Sequence, residues 1–466
     1  MHAFPTSPLL LACAAVLALS GCAGTAPNTA AGAVAALVQE RTGATPRLAG
    51  ANGEALAREI DAMLKEPVSM DSAVRIALLN HPGLQATYWE VGVAQADLAQ
   101  AARLRNPSIG LARESGGGAR EIERSISFDL AGLLTMPLRL RMENRRFEAT
   151  KLTVAGALER HALDTRKAWV EAVAAQQALG YARQVNASAE AASELMGRMV
   201  KVGNASQRDL AREQAAYAES GATVMRSARA FDVAREALTR QLGLWGAQTA
   251  YTLPAQLPEL PAAPRELARV EQTALARRLD VQAARMAASH LAADLGLTRT
   301  TRFVNVLELG RTDKREAEAG SPYARSDGYE VGFELPLFDW GGAKVARAES
   351  IYMQAVHRVA DVAVAARSQA REGYLGYRAG YDLARHYRDN IVPLRKKIAD
   401  ETLLRYNGML ASPFELLTDA REQAQAVGSY HEALKEFWLA EAALESALGG
   451  RIDLPAQAKH TKEHQQ

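Results

Sequence analysis

The sequence lacks a surplus of charge of either sign. It has 55 Lys and Arg residues against 53 Asp and Glu residues, which gives a formal net charge of +2. No basic surplus is available for nucleic acid, so no nucleic-acid partner is expected. Aromatic residues are also scarce, at 6% of the chain, whereas alanine is abundant throughout. This composition favours long helices that pack closely along their length.

Cysteine and long apolar runs are nearly absent as well. The run LLLACAAVLAL at 9–19 has the length of a signal peptide and is too short to span a membrane as a helix. No later segment offers about 18 uninterrupted apolar residues, so no transmembrane helix is expected. The two cysteines are Cys13, inside this run, and Cys22, just after it. Removal of the signal would therefore leave Cys22 as the only thiol.

The residues around Cys22 resemble the lipobox of bacterial lipoproteins. They read Leu19-Ser20-Gly21-Cys22, and in such proteins the cysteine is acylated and becomes the first residue of the mature chain. We predict a signal peptide over 1–21, a covalent lipid on Cys22 and a lipid-anchored segment over 22–67. Residues 1–8 lack the Lys or Arg of a usual signal peptide, so Met1 need not be the true start of the chain. An ordinary signal peptide that is followed by a cysteine by chance is the alternative. Ala23, where Asp tends to mark inner-membrane retention, favours the outer membrane.

Motifs of common catalytic classes are missing too. The sequence contains no G-x-S-x-G, no H-E-x-x-H and no P-loop lysine motif. A lipidated Cys22 leaves no free thiol, which excludes cysteine-based catalysis and thiolate metal sites. We therefore predict no catalytic residue, no metal site and no cofactor apart from the lipid, and we do not expect an enzyme.

The sequence contains one order of predicted elements twice. In each half, a helix leads to alternating apolar and polar residues typical of a strand hairpin, then to a long helix, a turn and a returning helix. In the first half these elements are predicted at 70–104 (capped by Asp71 or Ser72), 106–130, 133–202, 203–206 and 206–242. In the second half they are predicted at 265–300, 302–338, 342–407, 408–412 and 412–448. In the second hairpin, strands at 302–310 and 329–338 flank a predicted polar loop.

The boundaries follow from these elements. We predict a first repeat over 68–245, a Pro-rich linker over 246–264, a second repeat over 265–449 and a polar tail over 450–466. Two short helices together match one long helix in each half, which predicts pairs of rods roughly 100 Å long.

The predicted strands have exposed edges and one apolar face, so they are not stable alone. Strands from three subunits would close into a membrane barrel, apolar outside and polar inside. The fold class is therefore mainly α with a membrane β-barrel. Duplicated long helical hairpins would form a trimeric α-barrel, and four strands per chain would contribute to a barrel of about twelve strands.

The turns after the two long helices share a pattern. The first reads Gly203-x2-Ser206-x2-Asp209-Leu210, and the second reads Gly408-x3-Ser412-x2-Glu415-Leu416. Together with NPSIGLA after QAARLR, GFELPLFDWGGAKVARAE at 332–349 and Pro393 inside the second long helix, these turns resemble the TolC-like outer-membrane efflux protein family. The resemblance covers nearly all of the mature chain.

The resemblance implies a homotrimeric channel in the outer membrane of a Gram-negative bacterium. It would extend into the periplasm and conduct solutes exported by an inner-membrane pump, through a periplasmic adaptor. The adaptor-docking tips would be Gly203, Ser206, Gly408 and Ser412. The resemblance leaves the exported solute open.

The resemblance also suggests acids for a periplasmic gate. The candidates are Glu415, with Asp419 one turn later, and Asp209 in the first turn. Rings of carboxylates at a narrowing attract cations. The extra residue before Ser412 leaves the register open by one. Asp209 and Glu415 as ordinary helix N-terminal acids remain the alternative. For the chain as a whole, a periplasmic coiled-coil adaptor or a structural lipoprotein is the alternative.

Overall fold

The structure is a computed structural model that describes residues 28–47, 53–116, 119–303, 306–318 and 320–451. The predicted signal peptide, Cys22 and nearly all of the polar tail lie outside these residues. The described chain forms two compact units. Unit 1 contains residues 28–34, 89–154 and 282–362, and unit 2 contains residues 35–88, 155–281 and 363–451, apart from the gaps just given.

The first half of the chain follows the predicted order of elements. Its helices are α1 (Asn28–Thr42), α2 (Gly53–Met63), α3 (Met70–Asn80), α4 (Pro82–Ala101), α5 (Leu130–Lys201) and α6 (Gln207–Leu242). The strands β1 (Ser108–Gly116) and β2 (Ala119–Asp129) precede α5. The long helix, its turn and the returning helix are confirmed, although the long helix begins three residues earlier than predicted.

The second half repeats this order. Its helices are α7 (Val270–Arg277), α8 (Leu279–Thr301), α9 (Gly342–His386), α10 (Val392–Asn407) and α11 (Pro413–Leu448). The strands β3 (Leu307–Ala317) and β4 (Ala324–Phe333) lie between α8 and α9. Residues 250–269, which include most of the predicted linker and its prolines, contain no helix or strand.

The single helix predicted over 70–104 is wrong, because the chain breaks at His81. His81 has an extended backbone, Pro82 begins the next helix, and Ser69 rather than Asp71 or Ser72 caps α3. The single helix predicted over 265–300 is wrong as well, because it begins only at Val270 and breaks at Arg278, between α7 and α8. Both break residues donate their backbone N–H to the carbonyl four residues earlier, in Ala77 and Ala274. Proline disfavours α conformation in the residue before it, which explains the first break.

The four strands form one antiparallel sheet in unit 1, in the order β1-β2-β3-β4. β2 pairs with β3 from Arg120↔Ala317 to Asp129↔Glu308, so the two predicted hairpins are joined. The predicted bounds of the second hairpin are wrong: most of the predicted polar loop is strand, and β4 ends at Phe333. Cross-strand ion pairs hold this polar part together, such as Arg325 to Asp313 at 2.6 Å.

The helix predicted over 342–407 contains a π-helical turn at Tyr387–Ile391. Pro393 lies just beyond it, in the first turn of α10. Proline has no backbone N–H to donate and its ring crowds the preceding turn of a helix, so a wider turn relieves the conflict. The helix continues through the turn without a loop.

A hydrophobic core lies in unit 2, where parts of α3, α5, α6, α9 and α11 meet. Tyr377 and Tyr381 of α9 pack on Phe437 of α11 with ring centroids 5.5 and 5.9 Å apart. Trp169 of α5 is buried as well and donates its indole N–H to the Val68 carbonyl at 2.7 Å. Among the described residues, no helix is both long and apolar enough to span a membrane.

Candidate functional site

The first candidate site is the turn between α5 and α6. Gly203 has a left-handed backbone with φ of 79°. Its N–H donates to the Val200 carbonyl at 3.1 Å, and the Asn204 N–H donates to the Met199 carbonyl at 2.8 Å. This pair of hydrogen bonds is a Schellman motif, which satisfies the last carbonyls of a helix and reverses the chain.

The turn between α10 and α11 repeats this motif with a different residue at its centre. The left-handed residue is Met409, with φ of 60°, whereas Gly408 has φ of −84°. The Met409 N–H donates to Tyr406 at 2.9 Å, and the Leu410 N–H donates to Arg405 at 2.7 Å. The predicted match of Gly408 to Gly203 is therefore wrong. The extra residue precedes the left-handed position, and the two turns correspond at a constant shift of 206 residues.

Both returning helices begin with a capping box. Ser206 Oγ accepts from the Asp209 N–H at 3.2 Å, and the Asp209 carboxylate accepts from the Ser206 N–H at 3.3 Å. Ser412 and Glu415 make the equivalent bonds at 3.2 and 2.8 Å. The hydrogen bond from Ser206 Oγ lowers the pKa of Asp209. Asp209 and Glu415 therefore cap the N-termini of α6 and α11, in addition to any further role.

The third gate candidate lies one turn further along α11. The Asp419 carboxylate accepts from the Thr402 hydroxyl of α10 at 2.6 Å. This bond links the two helices that flank the second turn. Asp419 is half-buried, whereas Glu415 is exposed.

Sequence reasoning missed an ion pair that joins the two helical hairpins. Glu213 of α6 is buried, and its carboxylate binds the guanidinium of Arg421 on α11. At the shift of 206 residues, Glu213 of the first repeat corresponds to Asp419 of the second repeat. This correspondence marks Glu213 as an acid at an equivalent position in the repeat, but it does not identify Arg421 as its partner.

The exposed surfaces of the two turns differ in chemistry. In the second turn, the side chains of Met409 and Leu410 are 94% and 74% exposed. The corresponding residues of the first turn are Gly203 and Asn204, which offer no large apolar side chain. The second turn therefore exposes two large apolar side chains at and after its left-handed residue, whereas the first turn exposes Val202, which is 70% exposed, just before Gly203.

The second candidate site is the sheet of unit 1, whose two faces differ. The strand register places large apolar side chains on one face, which we call the apolar face, and most of them are exposed. They are Ile109, Leu111, Ile126, Phe128, Leu309, Tyr329, Val331 and Phe333. The opposite face, which we call the polar face, carries small and acidic residues. They include Ser108, Gly110, Ser125, Ser127, Thr312, Gly328 and Glu330. A contiguous exposed apolar surface of this kind marks contact with lipid or protein.

No group of three or more His, Cys, Asp or Glu side chains placed to hold a metal ion occurs in the described part of the chain. Cys22, the predicted lipid attachment site, lies outside that part, so its modification stays a prediction.

Known proteins resemble this chain in structure more clearly than in sequence. No family model matches it, and no curated protein matches it either. A membrane protein from Pseudomonas aeruginosa superposes with a TM-score of 0.69 and 18% identity, covering 82% of this chain and 93% of that one. The outer-membrane protein VceC from Vibrio cholerae gives 0.68 and 16%, covering 82% and 96%. The MtrE outer-membrane channel of Neisseria gonorrhoeae gives 0.67 and 17%, covering 82% and 89%.

These likenesses establish the fold. The chain has the fold of the outer-membrane channel proteins, and the predicted resemblance to the TolC-like family is confirmed at this level. These three proteins of known structure are membrane and channel proteins rather than enzymes.

Proposed function

We propose that this chain, which has the fold of the TolC-like channels, is the outer-membrane channel of a tripartite efflux system. Three copies would close the sheets into a β-barrel of about twelve strands and the helices into a tunnel. The channel would lie in the outer membrane of a Gram-negative bacterium, anchored by a lipid on Cys22. It would conduct solutes delivered by an inner-membrane pump and a periplasmic adaptor.

The observation that carries the proposal is the sheet. Its apolar face is exposed over all four strands, and its polar face is opposite. Its edge strands β1 and β4 pair with one neighbour each. A membrane offers no water to unpaired backbone groups, so such edges must pair with further strands. Closure with the strands of other copies would pair both edges and would turn the apolar face outward to the lipid.

The first experiment is native mass spectrometry of the full chain extracted from outer membranes in mild detergent. A trimer with an acyl mass increment on each subunit is expected. A monomer, or protein released without detergent, would contradict the channel. Cys22→Ser provides the control for the anchor: it should remove the increment, and a trimer should persist if the barrel alone holds the protein in the membrane.

The two turns are proposed to be the periplasmic end of this channel. Gly203, Ser206, Gly408 and Ser412 would lie at the tips that dock the adaptor. Glu415 and Asp419, with Asp209 in the first turn, would line the closed end. The capping boxes hold the Asp209 and Glu415 carboxylates in fixed positions at the start of each returning helix, as residues that line a closed end require.

Single-channel recording tests the gate. Glu415→Gln with Asp419→Asn removes both charges while keeping oxygen acceptors for the Ser412 cap and the Thr402 hydroxyl. We expect a higher conductance and a lower preference for cations. Glu219→Gln, an exposed acid further along α6, is the matched control and should leave both unchanged. Unchanged currents in the double variant would remove the gate assignment and leave the channel intact.

A further inference from the structure

The end of the sheet nearest its hairpin turns carries an unusual distribution of charge. Two rows of the apolar face lie there, and the register gives them as Leu111-Arg124-Asp313-Asp327 and Arg113-Ile122-Arg315-Arg325. Arg120 follows in the next row, opposite Ala317. We call these five arginines, with the two aspartates, the arginine zone. Its net charge is +3, from five arginines less two aspartates.

The polar face at the same height has the opposite charge. Glu114, Glu121 and Glu316 stand in one row across three strands. Glu123 and Lys314 stand in the next row, where the Lys314 ammonium lies 3.3 and 3.2 Å from the carboxylates of Glu121 and Glu123. The net charge there is −3, from four glutamates less one lysine. The two faces are thus segregated by charge, which indicates that they meet different surroundings.

The arginine zone has more cationic groups than its own acids satisfy. Asp313 accepts from Arg325 at 2.6 Å and lies 3.7 Å from Arg315 Nε. That nitrogen is buried and has no hydrogen-bond partner. Arg113, Arg120 and Arg124 form no ion pair with any part of the chain that the structure describes. Arg315 and Arg325 are also directly opposite each other, and the single carboxylate of Asp313 is shared between these two like charges.

The choice of residue is informative as well. All five cations of the zone are arginines, and the lysine of the described strands, Lys314, is on the other face. A guanidinium group offers a planar fork of donors that matches the oxygens of a phosphate, whereas an ammonium does not. The zone therefore suits phosphate groups better than it suits diffuse negative charge.

The position of the zone identifies the source of the phosphate. The exposed apolar residues Phe128, Leu309 and Val331 form a row of the same face, nearer the helices. The arginine-rich row of Arg315 lies three rows further on, about 20 Å along the strands. An apolar band followed by a basic band fits a lipid layer, with acyl chains against the first and headgroups against the second.

We infer that the arginine zone binds the phosphate groups of anionic lipids in the membrane leaflet at the hairpin end of the sheet. The inference rests on the proposed function, because that function turns the apolar face toward lipid. Each phosphate would accept hydrogen bonds from one or two guanidinium groups, with Arg113, Arg315 and Arg325 at the centre.

The experiment measures lipid retention by native mass spectrometry of the full-length protein. The probes are lipid A, which carries two phosphates, its monophosphoryl form, and phosphatidylcholine as the zwitterionic reference. We expect retention to fall in that order. Arg315→Gln should weaken lipid A binding about tenfold, which corresponds to roughly 1.4 kcal/mol for a lost charged hydrogen bond. The neighbouring Lys314→Gln loses the same charge from the opposite face and should leave lipid A binding unchanged.

Arg113→Gln on the edge strand is the second variant, because its exposed side chain has no partner whose loss could disturb folding. Equal effects of Arg315→Gln and Lys314→Gln, or equal retention of lipid A and phosphatidylcholine, would overturn the inference. Binding of polyglutamate to the zone without binding of lipid A would overturn it as well. The subunit count and conductance of the same samples separate this result from failure of the channel itself: a conducting trimer without phosphate preference refutes the lipid site alone.

Discussion

The two repeats of this chain have nearly the same backbone but stabilise it with different side chains. Each repeat breaks its first helix at one point, ends its long helix in a Schellman motif, and begins its last helix with a capping box. Gly243 and Gly449 end those last helices, again 206 residues apart, and both are left-handed. Features shared by both repeats are those that the backbone conformation requires, and side chains that differ between them are specific to one repeat.

The glycine at the end of each repeat is a backbone requirement. A Cβ at Gly243 would lie 2.8 Å from His81 Cα, and one at Gly449 would lie 2.9 Å from the Arg278 nitrogen. Each glycine therefore packs on the break residue of its own repeat. We call these two contacts the first joint and the second joint.

The largest expected effect is at these joints. Gly243→Ala and Gly449→Ala should each lower the free energy of unfolding by about 3 kcal/mol, since strained φ and a backbone clash add. Thermal unfolding followed by circular dichroism measures the loss. Gly180→Ala on α5 is the control: no atom lies within 4 Å of its Cβ position, and alanine should stabilise the helix slightly. Effects that differ strongly between the two joints would break the equivalence of the repeats.

The joints should respond to pH in opposite directions. At the first joint the tilted rings of His81 and His161 are in contact with centroids 4.4 Å apart, and burial lowers the pKa of both. Their contribution to stability is present above pH 6.5 and is lost as the pH falls below it. Beside the second joint, burial raises the pKa of Glu159 to about 7 from 4.5. Its contribution is present below pH 4.5 and is lost as the pH rises to about 7.

Two variants separate these effects. Glu159→Gln should become more stable than the natural protein as the pH rises from 4.5 to 7, by up to about 3 kcal/mol. His161→Gln should lose part of the acid sensitivity below pH 6.5, because His81 remains, and should keep the loss of stability that Glu159 causes as the pH rises from 4.5 to about 7. Unfolding midpoints measured from pH 4 to 9 decide the matter. A constant difference between Glu159→Gln and the natural protein would show that Glu159 stays ionised when buried.

The ion pair between the hairpins comes next in size. Arg421→Ala would leave the Glu213 carboxylate buried without its partner, and should cost about 2 kcal/mol. This figure is below that of a fully buried pair, because the Arg421 side chain is 49% exposed. The exposed pair of Arg226 and Glu219 serves as the reference, and Arg226→Ala should change stability by less than about 0.5 kcal/mol. Similar losses of unfolding free energy in both variants would show that the burial of Glu213 does not make its ion pair stronger than an exposed one.

The smallest expected effects test the two Schellman motifs, and they have opposite signs. Met409→Gly should stabilise the second turn by about 1 kcal/mol, because methionine is strained at positive φ. Gly203→Ala should destabilise the first turn by a similar amount, since its Cβ meets no neighbour and only the backbone conformation is at issue. Hydrogen exchange at the Leu410 and Asn204 amides reports each motif locally. If Met409→Gly weakens adaptor binding while it slows exchange, the strained methionine serves docking.

Much of the fold was accessible from the sequence because long helices and turns have strong signals. The bounds of α5, α6 and α11 follow from helical periodicity and from Ser206 and Ser412 as caps. The second hairpin was less accessible, since Arg311, Asp313 and Arg315 on one face alternate with Thr312 and Lys314 on the other, and charge on both faces hides the period of two. Its strands are held by cross-strand ion pairs that appear only after pairing.

The sequence predicted the two turns of the candidate site but not the residue-by-residue alignment between them. The preference for glycine at a left-handed position selected Gly408, whereas the chain places Met409 there and accepts the strain. The partnership of Glu213 with Arg421 was out of reach, because it joins residues 208 apart in the sequence whose charges match many other candidates.

The π-helical turn at Tyr387–Ile391 bears on how this chain tolerates insertions and deletions. One residue added to a regular α-helix rotates every later side chain by about 100° and moves the buried stripe to the wrong side. A π turn absorbs one residue locally and keeps both flanking segments in phase. Deleting a residue within this turn should therefore convert it to regular helix and leave Ala399 of α10 buried. A deletion at an arbitrary position of α5 would instead shift the Trp169 face out of the core.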